Sequence, residues 1–200
     1  MSDTSRRRLR TAVLISGRGS NMMALVKAAA DPDYPAQVAL VLSNRPEAAG
    51  LHRAESAGIE AIAIDHEDFG TREAFERELD AALRAHDVEF VACAGFMRIL
   101  TPWFVSRWDG RMINIHPSLL PKYKGLNTHR RALEAGDKEA GASVHWVAPD
   151  VDAGDVIAQA AVDTLPGDTE DTLQARVLEA ELSLYPEALR KAAESVLGIS

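Results

Sequence analysis

Short apolar runs alternate with segments of helix-forming composition along the first half of the chain. Strands that alternate with helices return to the same sheet through right-handed crossovers, so this order predicts a mainly parallel sheet covered by helices. Helices are expected at residues 22–30 and 48–57 and from Thr71 onward. The apolar runs predicted as strands are residues 12–16, 38–42, 59–64 and 90–94.

The second half of the chain predicts an antiparallel addition to this sheet and a long final helix. Residues 142–147 and 156–162 have strand character and are separated by a turn rich in Gly and Asp. The final helix is expected to open at Asp168 and to be kinked or broken by Pro186. The fold class is therefore α/β, a three-layer, Rossmann-like arrangement in a single domain spanning residues 1–200.

Composition and charge exclude several classes of protein. Charged residues make up 26% of the chain and hydrophobic residues 46%, the balance of a soluble globular domain. The net charge of -8 argues against a large nucleic-acid surface, which needs clustered Lys and Arg. No apolar run approaches the roughly 20 residues of a membrane span, so a cytoplasmic location is expected.

Two local features have ordinary structural interpretations. Arg6, Arg7, Arg8 and Arg10 precede the first apolar run without the apolar core of a signal peptide, so residues 1–10 are predicted to be a flexible basic terminus. Cys93 lies in an apolar strand without zinc-type neighbours, which favours a buried core thiol.

The candidate for chemistry is the stretch formed by residues 112–129. Asn114 and His116 are two positions apart on a predicted strand, so they share a face and point toward the strand's carboxyl end. An isolated pair of this kind would more often be a strand cap and a core histidine. Here Pro117, Pro121 and Gly125 turn and stiffen the following loop, which favours a shaped active-site mouth.

A Gly-rich turn at residues 17–21 lies between the first predicted strand and the first predicted helix. Glycines let the backbone approach a phosphate, and a helix amino end supplies free N–H groups, while Ser20 and Asn21 can cap the helix. The dinucleotide fingerprint is incomplete, because Met22 replaces its third Gly and Asn44 lies near the expected acidic position. NAD is therefore disfavoured, and a tight turn without a ligand stays open as an alternative.

The stretch at residues 112–129 resembles the signature of the glycinamide ribonucleotide formyltransferase family. The blocks at residues 16–21, 94–100 and 151–154 are also similar to that family and occur in its order. The similarity extends from about residue 11 to about residue 190. The matching residues in the central stretch are Asn114, His116, Pro117, Ser118, Leu119, Leu120, Pro121, Gly125 and His129.

This resemblance implies a formyltransferase fold and an activity. The enzyme would move the formyl group of 10-formyltetrahydrofolate to the amine of 5-phosphoribosyl-glycinamide in purine synthesis, without a metal. Asn114, His116 and Asp152 are the implied catalytic residues. The implied partners are these small molecules, with no nucleic acid and no membrane, and the chain could be a monomer or a homodimer.

The resemblance also implies where the substrates bind. Gly19, Ser20 and Asn21 would hold the phosphate and Glu181 the ribose, but Leu178 stands where many members carry a phosphate-binding Lys. The residues implied to contact the folate are Arg72, Phe96, Met97, Arg98, Ile99 and Leu100.

The family pattern carries three further consequences. Lys124 and Asn127 stand where Pro and His are frequent, and both variants are expected to be tolerated. A cis Leu120–Pro121 bond is implied, although only about 5–6% of X-Pro bonds are cis. The nearest alternative function is formyltetrahydrofolate hydrolase, whose scaffold is similar and whose formyl acceptor is water.

Overall fold

Seven strands form one sheet in the computed structural model, which describes residues 7–199. Its spatial order is β3-β2-β1-β4-β5-β6-β7. The strands are β1 (Leu9–Ile15), β2 (Ala36–Ser43), β3 (Glu60–Ala63), β4 (Phe90–Cys93), β5 (Met112–His116), β6 (Glu139–Trp146) and β7 (Val156–Asp163).

The sheet has the predicted mixture of directions. β1 to β5 pair in parallel, whereas β6 runs antiparallel to β5 and β7 antiparallel to β6. The chain winds outward from β1 to β3 and then crosses back to place β4 on the other side of β1. Open α/β sheets bind ligands at such a reversal, beyond the carboxyl ends of the strands.

Helices cover both faces of the sheet and complete three layers. Helices α1, α2, α5 and α6 pack on one face, and α3 and α4 pack on the other. No helix within residues 7–199 is long and apolar enough to cross a membrane. The helices are α1 (Ser20–Ala29), α2 (Ala49–Ser56), α3 (Arg72–Ala85), α4 (Pro102–Arg107), α5 (Thr128–Ala135) and α6 (Glu170–Leu197).

Strand β1 shows how the sequence builds two cores. Alternate side chains of a strand point to opposite faces, so Val13 and Ile15 join the core that includes Met22 of α1. Leu14 joins the opposite core, which includes Phe75 of α3. The near-continuous apolar run is therefore explained by burial on both faces, as expected for a parallel sheet between helical layers.

The prediction of a flexible basic terminus is wrong where the structure describes it. Arg8 donates from Nε to the Tyr34 carbonyl at 2.9 Å, and Arg10 donates from Nε to the His86 carbonyl at 2.7 Å. The prediction assumed that these arginines are solvated, because backbone carbonyls distant in sequence cannot be recognised as their partners from the local pattern. The part of the prediction that concerns residues 1–6 lies outside the described residues.

Two helices begin after a residue in the left-handed region, and the first of them does not use its predicted caps. Gly19 is the N-cap of α1 with φ of 71°, so Ser20 and Asn21 lie in the first turn and do not cap it. Asn127 is the N-cap of α5 with φ of 58°, and Thr128 is the first helical residue. In both cases a residue in the left-handed region turns the chain, and no side-chain cap forms.

Helix α6 continues through Pro186, so of the predicted kink or break the break does not occur. An interior Pro costs a helix about 3 kcal/mol through its missing N–H and its ring. Tyr185, Ala188 and Leu189 beside it are fully buried against the sheet. Packing of this face outweighs the local preference, and the Tyr34 hydroxyl donates to the Pro186 carbonyl at 2.6 Å.

Candidate active site

The candidate site lies beyond the neighbouring carboxyl ends of β1, β4 and β5. The Ser16 N–H donates to the Gly95 carbonyl at 3.1 Å, and the Met97 N–H donates to the Ser16 hydroxyl at 2.8 Å. These bonds join the segment after β4 to the Gly-rich turn after β1. Asn114 and His116 lie on β5, the next strand along the same edge.

Each ring nitrogen of His116 lies beside an oxygen atom. Its Nε2 lies 2.9 Å from the Tyr123 carbonyl, which can only accept, so this nitrogen carries a proton. Its Nδ1 lies 3.2 Å from Oδ2 of Asp152, an interaction that also needs a proton when the carboxyl is ionised. Both nitrogens of this 6%-exposed imidazole therefore face oxygen acceptors, an arrangement in which an imidazolium can pair with the Asp152 carboxylate.

Asp152 reaches His116 from the loop between β6 and β7. The residue has φ of 49°, and its Oδ2 also accepts from the Gly125 N–H at 2.9 Å. Burial opposes ionisation of this carboxyl, but the Gly125 N–H and the nearby His116 help to hold its pKa below the ordinary value. Asp152 is thus a carboxylate across the physiological pH range.

A glycine two residues later lets this loop lie against the sheet. A Cβ added to Gly154 would stand 1.8 Å from the carbonyl oxygen of Trp146, a distance that no side chain can occupy. The Trp146 N–H also donates to the Asp155 carbonyl at 3.0 Å. Close backbone contact therefore fixes the loop that carries Asp152.

Asn114 is half-buried and its amide faces the neighbouring strand. Its Nδ2 lies 3.3 Å from Nε2 of His145, which is directly opposite in the β5–β6 pairing. His145 was not identified from the sequence as a site residue. In the sequence, His145 is only a polar residue inside a predicted strand. Its position indicates a role in the site only once that strand is known to pair with β5.

The loop after His116 is held by its own hydrogen bonds. The Leu120–Pro121 bond is cis, which confirms the prediction. The Ser118 hydroxyl donates to the Lys122 carbonyl at 2.7 Å, and the Leu120 N–H donates to the Ser143 hydroxyl at 3.0 Å. This loop carries the Tyr123 carbonyl and the Gly125 N–H that contact the catalytic candidates.

The Gly-rich turn meets the last helix through one buried pair. Asn21 donates from Nδ2 to Oε2 of Glu181 at 2.6 Å, although the residues are separated by 160 positions. Oδ1 of Asn21 is buried and has no hydrogen-bond partner within the described part of the chain. Burial raises the pKa of Glu181 and the bond from Asn21 opposes this increase. Asn21 and Glu181 thus form a buried polar pair beside the Gly-rich turn.

Glu181→Gln is expected to stabilise the ligand-free protein at neutral pH. Below the unfolded pKa of about 4.3 the carboxyl is protonated in both states, so variant and wild type should unfold alike. As pH rises through the raised native pKa, wild type must ionise a buried group, and its stability falls relative to Gln. An increase in Tm of about 2–4 °C, which roughly 1 kcal/mol produces in a chain of this size, is expected at pH 8.

Calorimetry at pH 4 and pH 8 tests this expectation. Glu179→Gln on the same helix removes an exposed carboxylate and is the matched control. An equal or lower Tm for Glu181→Gln than for wild type at pH 8 would show that the buried carboxylate carries no penalty.

The folate-binding candidates after β4 divide into two groups. Phe96 and Leu100 pack against the core, and the Phe96 ring stacks on Phe75 at 6.5 Å between centroids with 15° between planes. Met97 and Ile99 are 64% and 60% exposed. Core packing thus accounts for the first pair, whereas the second pair and the half-buried Arg98 offer a surface to a ligand.

Arg72 is connected to this segment through its helix. It is the first residue of α3 and is exposed, and the Thr71 hydroxyl caps the helix by accepting from the Ala74 N–H at 3.1 Å. Phe75, one turn later, is the residue that stacks on Phe96. The helix that carries Arg72 is therefore packed on the segment that the sequence assigns to the folate.

Comparison with known proteins identifies the family. The formyl transferase family matches residues 9–189, and phosphoribosylglycinamide formyltransferase of Escherichia coli (strain K12) is 49% identical over 174 residues, covering 87% of this chain and 82% of that enzyme. The chain belongs to the phosphoribosylglycinamide formyltransferase family. The resemblance found in its sequence motifs is confirmed.

Solved structures and longer relatives agree with this assignment. Phosphoribosylglycinamide formyltransferase from Brucella melitensis matches with a TM-score of 0.90 and 49% identity, covering 94% of this chain and 96% of that one. The trifunctional purine biosynthetic protein adenosine-3 of Drosophila melanogaster is 51% identical over 187 residues, or 92% of this chain. The chain spans only 14% of that longer relative. The predicted fold class is confirmed.

Proposed function

We propose that this formyltransferase moves the formyl group of 10-formyltetrahydrofolate to the amine of 5-phosphoribosyl-glycinamide in purine biosynthesis. The observation that carries the proposal is the His116–Asp152 ion pair at 3.2 Å beside the Asn114 amide. An amide donor and an imidazolium at one strand end suit a reaction that creates negative charge on an oxygen. The Escherichia coli relative carries the name of this activity.

The reaction begins when the substrate amine attacks the formyl carbon. A carbon–nitrogen bond forms, and the electron pair of the C=O bond moves to oxygen to give a tetrahedral oxyanion. An N–H of Asn114 and the positive charge of His116 stabilise this oxygen. For His116 to donate from Nε2, its bond to the Tyr123 carbonyl must be exchanged for a bond to the oxyanion.

Collapse of the intermediate requires proton transfer. The attacking nitrogen must lose a proton, and N10 of the folate must gain one as its bond to the formyl carbon breaks. Asp152 keeps His116 charged and is the carboxylate through which, with a water, the amine proton can leave. The products are formylated phosphoribosyl-glycinamide and tetrahydrofolate, with no oxidation or reduction.

The proposed phosphate position is the amino end of α1. Gly19 has φ of 71° and Ser20 and Asn21 follow in the first turn, where backbone N–H groups are free. Leu178 on α6 supplies no charge, so the phosphate depends on these N–H groups, on the helix dipole and on the exposed Arg18. Glu181 is assigned to the substrate ribose.

The folate is proposed to bind along the segment after β4. Met97, Ile99 and the backbone around Arg98 would contact the heteroaromatic ring, and Phe96 and Leu100 would fix the segment to the core. Arg72 would meet the glutamate tail. No cluster of three or more His, Cys, Asp or Glu suited to a metal occurs among residues 7–199.

An assay with two acceptors tests the function. Purified protein is given 10-formyltetrahydrofolate with and without glycinamide ribonucleotide, and tetrahydrofolate and formylated product are both measured. We expect product formation that depends on the ribonucleotide. Tetrahydrofolate release at the same rate without it would assign the chain to formyltetrahydrofolate hydrolases instead.

Location and assembly follow from the proposed substrates. A cytoplasmic reaction on small molecules, with no nucleic acid and no membrane involved, remains the prediction. A monomer and a homodimer are both compatible with a site built from the residues of one chain.

A further inference from the structure

His145 lies beside the catalytic candidates but has no part in the mechanism above. It is on β6, directly opposite Asn114 on β5, and it is 2% exposed. The pairing of β6 with β7 shifts register between Val144 and His145. Irregularities of this kind re-aim a side chain beside active sites, and here the imidazole stands between Asn114 and Asp152.

The partners of His145 fix its tautomer. Nδ1 lies 2.8 Å from the Trp146 carbonyl, which only accepts, so Nδ1 carries a proton. Nε2 lies 3.3 Å from Nδ2 of Asn114, which only donates, so Nε2 must offer a lone pair. Only the neutral imidazole with its proton on Nδ1 satisfies both neighbours.

Two charged or titratable groups, Asp152 and His116, lie near His145. Asp152 faces His145 from the loop after β6, with Oδ1 at 3.5 Å from Nε2, which is too long for a strong bond. His116 faces the same carboxylate from β5, with Nδ1 at 3.2 Å from Oδ2, and in the proposed mechanism it is the positively charged partner of that carboxylate. A proton on Nε2 of His145 would strengthen its contact with Asp152 but would leave the Asn114 amide facing another donor.

This arrangement decides which end of the Asn114 side chain faces the substrate. The amide nitrogen has two hydrogens, so it can donate one to His145 and keep the other for the developing oxyanion. Without an acceptor at position 145, the Asn114 carboxamide can rotate by about 180° and exchange the positions of its oxygen and nitrogen. The oxygen would then face the developing oxyanion and repel it.

We propose that His145 is a positioning residue, a neutral Nδ1–H imidazole that holds the Asn114 carboxamide with its nitrogen toward the reacting oxygen. The proposal rests on the proposed formyl transfer, in which Asn114 is an oxyanion donor. It assigns His145 a role that acts through Asn114 and not through direct contact with the substrate.

A double-mutant cycle isolates this role. His145→Phe keeps a ring but removes the acceptor. We expect kcat to fall by about 5- to 100-fold with KM nearly unchanged. The upper end of this range approaches the cost of losing the oxyanion donor itself. In the Asn114→Ala background the same change should cost less than about twofold, because no carboxamide remains to be oriented. His145→Gln, whose Oε1 can accept from Asn114, should recover activity to within a few-fold of wild type.

The outcomes separate this proposal from the function itself. Wild type that fails to transfer the formyl group would reject the function, whereas active wild type with an unaffected His145→Phe would reject only the positioning role. Full additivity of His145→Phe with Asn114→Ala would likewise reject it. His52→Phe, on the exposed surface of α2, is the matched control and should retain wild-type kcat.

A measurement on the wild-type protein covers the case in which His145→Phe does not fold. The ¹⁵N chemical shifts of the His145 ring report which nitrogens carry protons. We expect a protonated Nδ1 and an unprotonated Nε2 at pH 7. An imidazolium, or a proton on Nε2 alone, would overturn the proposal.

Discussion

Asn114→Ala is expected to lower kcat by about 10²–10³-fold, the usual cost of losing one oxyanion donor. The amide nitrogen is the neutral donor at the carboxyl end of β5, and Ala cannot replace its N–H group. Because the oxyanion exists only after attack, KM should change much less than kcat. Steady-state kinetics with both substrates varied separates the two parameters.

The control for this variant removes an amide from another strand of the same sheet. Gln37 is exposed near the amino end of β2, away from the site, so Gln37→Ala should retain wild-type kcat. Both variants should unfold near the temperature of wild type. A kcat for Asn114→Ala within a few-fold of wild type would make Asn114 a structural residue and remove it from the mechanism.

Asp152→Asn should lower kcat by about 10²–10⁴-fold, because it removes both the partner of the His116 imidazolium and a proton acceptor. In the native site the carboxylate lies 3.2 Å from Nδ1 of His116 and accepts from the Gly125 N–H. An Asn side chain nearly keeps the shape, and its oxygen can still accept from Gly125. Its NH₂ group would then face Nδ1 of His116 and favour the neutral imidazole.

The pH dependence of kcat shows whether charge is responsible. The acid limb belongs to the substrate amine, which must be neutral to attack, since the pKa of Asp152 is held below its ordinary value. The alkaline limb appears where the imidazolium loses its proton as pH rises. A carboxylate neighbour favours that imidazolium, so the limb should move to lower pH in Asp152→Asn.

The profile must be measured where chemistry limits the rate, because product release would mask both limbs. Coupled groups titrate together, so the limb describes the His116–Asp152 pair. Asp150→Asn, an exposed change in the same loop, should leave the profile of wild type unchanged. An alkaline limb that stays in place or moves upward in Asp152→Asn would contradict an imidazolium supported by this carboxylate.

The order of strands and helices could be read from the sequence because each signal is local. Apolar runs, helix periodicity and glycines at turns act over a few residues, and they predicted the parallel sheet and its antiparallel addition. The spacing of Asn114 and His116 is local in the same sense, because two positions on one strand always share a face. Local signals failed at Arg8 and Pro186, where distant partners decide the conformation.

The pairing of these residues with others was decided by the tertiary structure. Asp152 was assigned through family resemblance. Its contact with His116 depends on its own left-handed backbone conformation and on the close packing of the Gly154 backbone against β6. His145 faces Asn114 because β6 takes one particular register beside β5, and a shift by one residue would turn the imidazole to the other face. The sequence by itself determined the elements and the chemistry at the end of β5, whereas strand register and packing decided which distant side chains complete the site.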